Sequence, residues 1–259
     1  LPMLWARTFP GQNRYNGNLV LQIGIQILLV ILTMVFIKQP ARSVKESGTL
    51  LSHVRQSLGI VAGSRNLKLL VWGTLVWGFC FNSIEVYWQP HMKAILGSDK
   101  QTWLFGLVNS GYFLASLAGV GVISLLLGKR QSYKTAMSLL RLTIGLLIMV
   151  LAFQKTMPAF ASVYLGLFMC NGMLTIPEGT LVNTLIPDDK RSSLLSLSSL
   201  AMQLGGVSGS VLFSILLRYL DIPDIWLITG SVFALSGFLY LGILPDGSPQ
   251  IRPDSRAGS

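Results

Sequence analysis

The sequence predicts an all-α integral membrane protein that folds as a helical bundle. Of its residues 51% are hydrophobic and only 12% are charged, and its mean hydropathy is +0.60. These values exceed what a soluble globular domain usually carries. Apolar runs of about 20 residues recur along the chain, and that length allows a helix to cross a bilayer. Composition and run length together therefore predict transmembrane helices.

Seven apolar stretches have the length of a membrane span. Most are separated by short segments with Gly, Pro, Asp or Lys/Arg, so neighbouring helices are expected to pack antiparallel. The predicted spans are 18–37, 68–90, 103–127, 134–153, 160–186, 194–217 and 225–244.

The basic residues alternate with the predicted topology. Thirteen Lys/Arg fall on the side that holds the first linker and the C-terminal tail, and six fall on the other side. The positive-inside rule then makes the linker 38–67 and the tail 245–259 cytoplasmic, and residues 1–17 an extracytoplasmic loop of a cell-membrane protein. Attraction to anionic lipid accounts for the net charge of +10, so we expect no nucleic-acid partner.

Residues 1–17 resemble a loop that arrives from a preceding helix. The chain does not begin with Met, and the number of predicted spans is odd. We therefore expect it to be the C-terminal part of a longer protein, with the N-terminal half missing.

The linker contains an apolar stripe at helical spacing. The stripe consists of Leu50, Leu51, Val54, Leu58 and Val61. It predicts an amphipathic helix in the cytoplasmic interface. The alternative is a solvated linker that happens to contain leucines.

Two carboxylates, Glu85 and Glu178, lie inside predicted spans. A charged group at membrane depth is costly, so it normally faces a watery cavity or a partner and marks a substrate, ion or proton pathway. A carboxyl group buried without a partner also holds its proton to higher pH, as proton-coupled exchange requires. Two simpler interpretations stay open. Glu85 can reach interfacial water near the outer end of its span, and Glu178 can pair with Arg191 or Lys190.

Other polar residues accompany these carboxylates at helical spacing. Gly78, Asn82, Glu85 and Gln89 share one face of the second span, and the fifth span repeats the pattern. The predicted cavity-facing residues besides the two glutamates are Asn82, Gln89, Asn109, Tyr112, Ser116, Asn171, Thr175 and Gln203. Arg141 lies about seven residues from the end of its span, from which we expect it to snorkel toward the headgroups. The alternative is that it forms a functional pair inside the bundle.

Glycines are concentrated where helices are expected to approach closely, for example at Gly119 and at Gly205. Such small residues predict tight helix–helix contacts.

The organisation resembles a major facilitator superfamily transporter. One span, a basic amphipathic linker and six spans with short loops follow one another, and 183–196 (NTLIPDDKRSSLLS) is similar to that family's tenth-to-eleventh loop. The segment 128–134 (GKRQSYK) is similar to the loop between helices eight and nine, but it lacks the acidic residue of the full pattern.

The resemblance implies that 18–37 is a sixth helix and 68–244 is the six-helix C-terminal half. The second and fifth spans would then be helices seven and ten, which line the central cavity. Asp188, Asp189 and Arg191 would belong to a gating loop on the cytoplasmic side.

The expected function is secondary active transport of a small molecule, as proton-coupled efflux of a drug or metabolite by alternating access. Its partners would be the substrate, the proton, the bilayer and the missing half. An uptake permease for a polar metabolite or sugar is the alternative, and a receptor or structural protein is the alternative of another class. No metal-ligand cluster, P-loop or dinucleotide fingerprint occurs, so we expect neither a cofactor nor an enzyme.

Overall fold

The computed structural model describes residues 8–9, 16–36, 50–97, 103–127, 133–186 and 190–243. The side chains at 18, 50–54 and 56 lie outside this description. Within these ranges the chain forms eight helices and no strand. The helices are α1 (Asn16–Phe36), α2 (Leu50–Gly63), α3 (Arg65–Leu96), α4 (Trp103–Leu126), α5 (Tyr133–Leu151), α6 (Met157–Leu185), α7 (Arg191–Leu216) and α8 (Ile222–Leu241).

Seven of these helices, all except α2, are long and apolar enough to cross a membrane. Each coincides with one predicted span, so the prediction of seven apolar helices of spanning length is confirmed. The helix itself extends beyond the predicted span 68–90, because α3 continues through Pro90 to Leu96. A proline removes a single backbone donor, and membrane helices tolerate this where neighbouring groups compensate.

Local sequence signals set the two ends of α3. The Ser64 hydroxyl accepts a hydrogen bond from the Leu67 backbone N–H at 3.4 Å, as an N-cap does. At the other end Gly97 has a φ of 62°, the left-handed conformation that terminates many helices.

The chain divides into two compact units, residues 1–47 and 48–259. In the first unit α1 is mostly apolar, and all its described side chains from Leu19 to Phe36 are exposed. Its polar side chains in this range, Gln22, Gln26 and Thr33, are few, so most of its surface fits an apolar environment such as a bilayer provides.

In the second unit the six long helices pack most closely as three pairs: α3 with α7, α4 with α6, and α5 with α8. Glycines make these contacts close. A Cβ at Gly78 of α3 would lie 2.0 Å from the Met202 carbonyl oxygen of α7, and one at Gly172 of α6 would lie 2.0 Å from the Ser116 carbonyl oxygen of α4. Gly205 and Gly119 meet backbone at 2.1 and 2.0 Å. The close contacts predicted at these last two glycines are therefore confirmed.

Helix α2 packs against α3 and α7. Its buried side chains are Ser57 and Val61, whereas Leu58 is 52% exposed. The predicted location of this apolar face in the membrane interface stays a prediction. Leu50, Leu51 and Val54 have side chains outside the described part. The described part of the linker, from Leu50 onward, is thus a helix that packs on the bundle at its C-terminal end.

Candidate functional site: an aromatic cavity beside a carboxylate

An open cavity of about 410 Å³ lies between α3, α4 and α6. Aromatic and aliphatic side chains form most of its wall, and the polar side chains are one carboxylate, one amide and two hydroxyls. The lining residues are Trp77, Phe81, Glu85, Tyr112, Phe113, Ser116, Leu117, Val120, Phe168 and Asn171.

Helix α3 contributes Trp77, Phe81 and Glu85 to the cavity. Their spacing of four residues places them along one face of the helix. The neighbouring face of α3 packs against α7 instead, where Ser210 Oγ donates to Asn82 Oδ1 at 3.0 Å. Asn82, which the sequence grouped with Glu85, therefore belongs to a helix interface.

The aromatic rings of the wall support one another. Trp77 stacks on Phe81 with the ring centroids 4.6 Å apart and an interplanar angle of 14°. Tyr112 lies 4.0 Å from Phe113 and 4.7 Å from Phe168, measured between ring centroids. Such contacts hold flat apolar surfaces in fixed positions around the open space.

A hydrogen bond across the cavity joins α3 to α6. Trp77 Nε1 donates to Asn171 Oδ1 at 3.1 Å. The bond fixes the indole ring and uses the amide oxygen of Asn171. Because the indole N–H of Trp77 already has an acceptor, the apolar face of the ring remains available to a ligand.

Glu85 faces this cavity with an exposed side chain. No side chain in the described part of the chain forms an ion pair with it. Its electrostatic interactions are with the phenols of Tyr112 and Tyr164. Because these are uncharged in their ordinary state, the carboxylate has no counter-charge from this part of the protein.

Of the predicted cavity residues, Glu85, Tyr112, Ser116 and Asn171 are brought together. The others lie elsewhere. Gln89, Asn109 and Gln203 are exposed outside the cavity. Thr175 donates its hydroxyl to the Gly172 carbonyl oxygen of its own helix at 2.8 Å.

The predicted gating loop is described only in part. Asp188 and Asp189 lie outside the described residues, as do 128–132 and the tail 245–259. Arg191 is exposed at the start of α7, and its guanidinium donates to Asn183 Oδ1 near the end of α6.

Arg141 is fully buried, which contradicts the expectation that it snorkels to the headgroups. Its guanidinium donates from Nη1 to Ser236 Oγ and from Nη2 to the Gly73 carbonyl oxygen, both at 2.9 Å. The same group lies 4.9 Å from the ring centroid of Phe233 and 4.7 Å from that of Tyr240. Arg141 of α5 thus joins α3 and α8 through hydrogen bonds and cation–π contacts.

Glu178 is half-buried on α6 and does not line the cavity. It interacts electrostatically with Arg141, and Tyr240 interacts with both of these residues. The predicted pairing of Glu178 with Arg191 or Lys190 is not among its described interactions. That pairing stays a prediction.

The two carboxylates lie on opposite sides of the hydrogen bond between Trp77 and Asn171. Glu85 follows Trp77 by eight residues, about 12 Å along α3, and Glu178 follows Asn171 by seven, about 10 Å along α6. Consecutive spans alternate in direction, so α3 and α6 run antiparallel. Gly73, which precedes Trp77 and binds Arg141, accordingly lies on the Glu178 side.

The sequence reasoning missed Trp77, Phe81 and the role of Arg141. The four-residue spacing of Trp77, Phe81 and Glu85 was a usable signal for the cavity face. For Arg141 the signal was a serine and a tyrosine four residues apart on α8, Ser236 and Tyr240, which offer an acceptor and a ring to a cation.

A comparison of the chain with protein-family models found no match, and a comparison with curated proteins found none either.

Proposed function

We propose that the chain is the six-helix C-terminal half, with one preceding helix, of a facilitator-type secondary transporter. It exports a small organic cation in exchange for protons by alternating access. The open aromatic cavity beside Glu85, which lies between helices of spanning length and has no counter-charge in the described part, is the observation that carries the proposal.

The pairing of the helices supports an inverted repeat of three helices. Suppose that α3 is exchanged with α6, α4 with α7 and α5 with α8. The contacting pair α3·α7 then becomes α6·α4, and the contacting pair α5·α6 becomes α8·α3; all four of these pairs are in contact in the structure. The contacting pairs α5·α8 and α3·α6 are each converted into themselves. Inverted repeats with a substrate site near the midplane are the architecture of many secondary transporters.

The chemistry of the cavity favours a cation with apolar groups. Tryptophan, phenylalanine and tyrosine rings attract positive charge through their faces, and the carboxylate of Glu85 supplies the matching negative charge. An anion would meet the Glu85 charge with no described cation in the wall, so it would be repelled. A highly polar sugar would leave most of the aromatic surface unused.

Alternating access requires a second half that moves against this one, and we place that half in the same polypeptide. The loops with most basic residues and the C-terminus then face the cytoplasm of a cell-membrane protein. The proposal includes the connection between α6 and α7 as a gating loop, with Arg191 at the start of α7 hydrogen-bonded to Asn183 near the end of α6.

The test is transport by the polypeptide that carries this chain, reconstituted in liposomes with an imposed pH gradient. Tetraphenylphosphonium is the probe, and an uncharged aromatic compound of similar size is the comparison. We expect pH-driven flux of the cation alone. Glu85→Gln removes the charge but keeps the shape, so it should reduce cation binding at least ten-fold, or about 1.4 kcal/mol.

Gln89→Ala is the matched control, because Gln89 is exposed on the same helix outside the cavity. It should transport as the wild type does. Cation binding that survives in Glu85→Gln would refute the assignment of the cavity. Flux that ignores the pH gradient would refute proton coupling, and an absence of flux for every compound would favour a receptor or structural role.

A further inference from the structure

Cations from two helices meet at the end of α8. Arg65 is the first residue of α3, and Lys134 lies in the first turn of α5. Lys134 Nζ donates to the Ile243 carbonyl oxygen at 3.1 Å. A Cβ on Gly242, the preceding residue, would lie 3.7 Å from Arg65 Nη2. Because the Cα atoms of consecutive residues are about 3.8 Å apart, the two cations reach the same part of the bundle.

Lys68 adds a third positive charge, because it lies three residues after Arg65 on the adjoining surface of α3. Arg65 and Lys68 are exposed, and Lys134 is half-buried. We call these three residues the basic site. Among the described residues no carboxylate forms an ion pair with them, and the bond from Lys134 to Ile243 is the one side-chain hydrogen bond of the site.

The fold does not balance the charge of the basic site. The C-terminal end of α8 contributes about half a negative charge, and the N-terminal ends of α3 and α5 contribute about half a positive charge each. Neither α3 nor α5 has an acidic residue in its first turn. Capping of α8 therefore leaves most of the three positive charges unmatched in the described part of the chain.

An exposed aromatic ring continues the same surface of α3. Trp72 follows Arg65 by seven residues and Lys68 by four, so the three share one face of the helix. Its side chain is 58% exposed. Helix α3 has the length of a membrane span, so its first turn is expected at the lipid headgroups and Trp72 about 10 Å further along the helix, next to the acyl chains.

We propose that the basic site binds the phosphate of an anionic phospholipid, with Trp72 beside the acyl chains of the same lipid. Guanidinium and ammonium groups bind phosphate oxygens through charge-assisted hydrogen bonds, and the bound anion supplies the charge that the described residues leave unmatched. The proposal assigns the lipid to three side chains, in contrast to a general attraction by the net charge. It requires that α3, α5 and α8 cross a membrane and is independent of transport.

The experiment uses the polypeptide that carries this chain, reconstituted in phosphatidylcholine liposomes. Phosphatidylglycerol with brominated acyl chains is added at increasing mole fraction, and quenching of tryptophan fluorescence is measured. Brominated phosphatidylcholine is the comparison. We expect phosphatidylglycerol to quench at the lower mole fraction. This excess quenching should be lost in Trp72→Phe, because Trp72 is the indole on the face of the basic site.

Arg65→Gln should raise the mole fraction for half-maximal quenching about five-fold, the usual effect of one cation near an anionic surface, and R65Q/K68Q/K134Q should raise it at least ten-fold. Arg65→Lys keeps the charge and should behave as the wild type does. Arg55→Gln is the matched control, because Arg55 is an exposed cation on α2, which packs against the first part of α3. It should change nothing.

Equal quenching by the two lipids in the wild type would overturn the proposal. Equal effects of Arg55→Gln and Arg65→Gln would also overturn it, in favour of a general attraction. Loss of the excess quenching in millimolar inorganic phosphate would assign the basic site to free phosphate instead. Excess quenching that appears only in Asp246→Asn would overturn the lipid in favour of the chain's own tail as the occupant.

Discussion

Replacing Gly172 by alanine tests the close contact between α4 and α6 that forms one wall of the cavity. The added Cβ would lie 2.0 Å from the Ser116 carbonyl oxygen, and ordinary contact begins at 3.4 Å. The obstacle is backbone, so a side-chain rotation cannot relieve it. The two helices must therefore separate locally by about 1.4 Å, the difference between these distances.

We expect Gly172→Ala to lower the free energy of unfolding by about 1–3 kcal/mol through the interface, which is the usual effect of overpacking well-packed side chains. Alanine also favours the helix over glycine by up to about 1 kcal/mol, which partly offsets the cost. Gly166→Ala on the same helix isolates the interface contribution, because a Cβ there meets nothing within 4 Å. The helix-propensity gain is common to both variants, so Gly172→Ala should be less stable than Gly166→Ala by about 1–3 kcal/mol.

Equilibrium unfolding in mixed micelles, followed by tryptophan fluorescence, measures this difference. The wild type should fall between the two variants. Equal free energies of unfolding for Gly172→Ala and Gly166→Ala would refute the close packing of α4 on α6 and the cavity wall built on it.

Two further predictions concern the core of the bundle. Ser236→Ala should lower the free energy of unfolding by about 1–3 kcal/mol, because it leaves a buried N–H of Arg141 unpaired. Ser231→Ala on the exposed side of the same helix should change it by less than about 0.5 kcal/mol, and similar losses in both would contradict the buried site. In thiol labelling with a membrane-permeant maleimide, half-buried Cys170 should react well before fully buried Cys80. Faster labelling of Cys80 would contradict the packing of α3.

The spans were predictable because the thickness of a bilayer requires an apolar length that composition reveals directly. Hydropathy does not report where a membrane helix ends, however. The predicted span stops at Pro90, but the missing N–H of this proline is a minor loss within a helix of 32 residues. The end occurs at Gly97, where the backbone takes a positive φ.

The orientation of α3 was harder to predict because Glu85 lies between two usable faces. Asn82 is about 60° from it around the helix and Phe81 about 40°, on opposite sides. A polar pattern favoured the Asn82 face. The partner helix decides between the faces, since α7 covers Asn82 and leaves Phe81 at the cavity.

Arg141 could not be placed from its distance to the end of the span alone. A long side chain about 10 Å from an interface can reach water, so snorkelling was physically reasonable. The fold instead brings a serine hydroxyl, a glycine carbonyl and two aromatic rings from other helices to the guanidinium. These partners are distant in sequence, and no local pattern on α5 indicates them.

The two glutamates occupy equivalent positions in the three-helix exchange, and their surroundings differ in charge. Trp77 on α3 and Asn171 on α6 meet at the centre, and each glutamate follows one of them by seven or eight residues. Helix α5 brings Arg141 to α6, but its counterpart α8, which packs on α3, contains no Lys, Arg or His between Ile222 and Leu241. The same frame therefore gives Glu178 a permanent cation and leaves Glu85 without one. Under the proposed function, a bound organic cation would supply the charge that the described part of the chain leaves unmatched at Glu85.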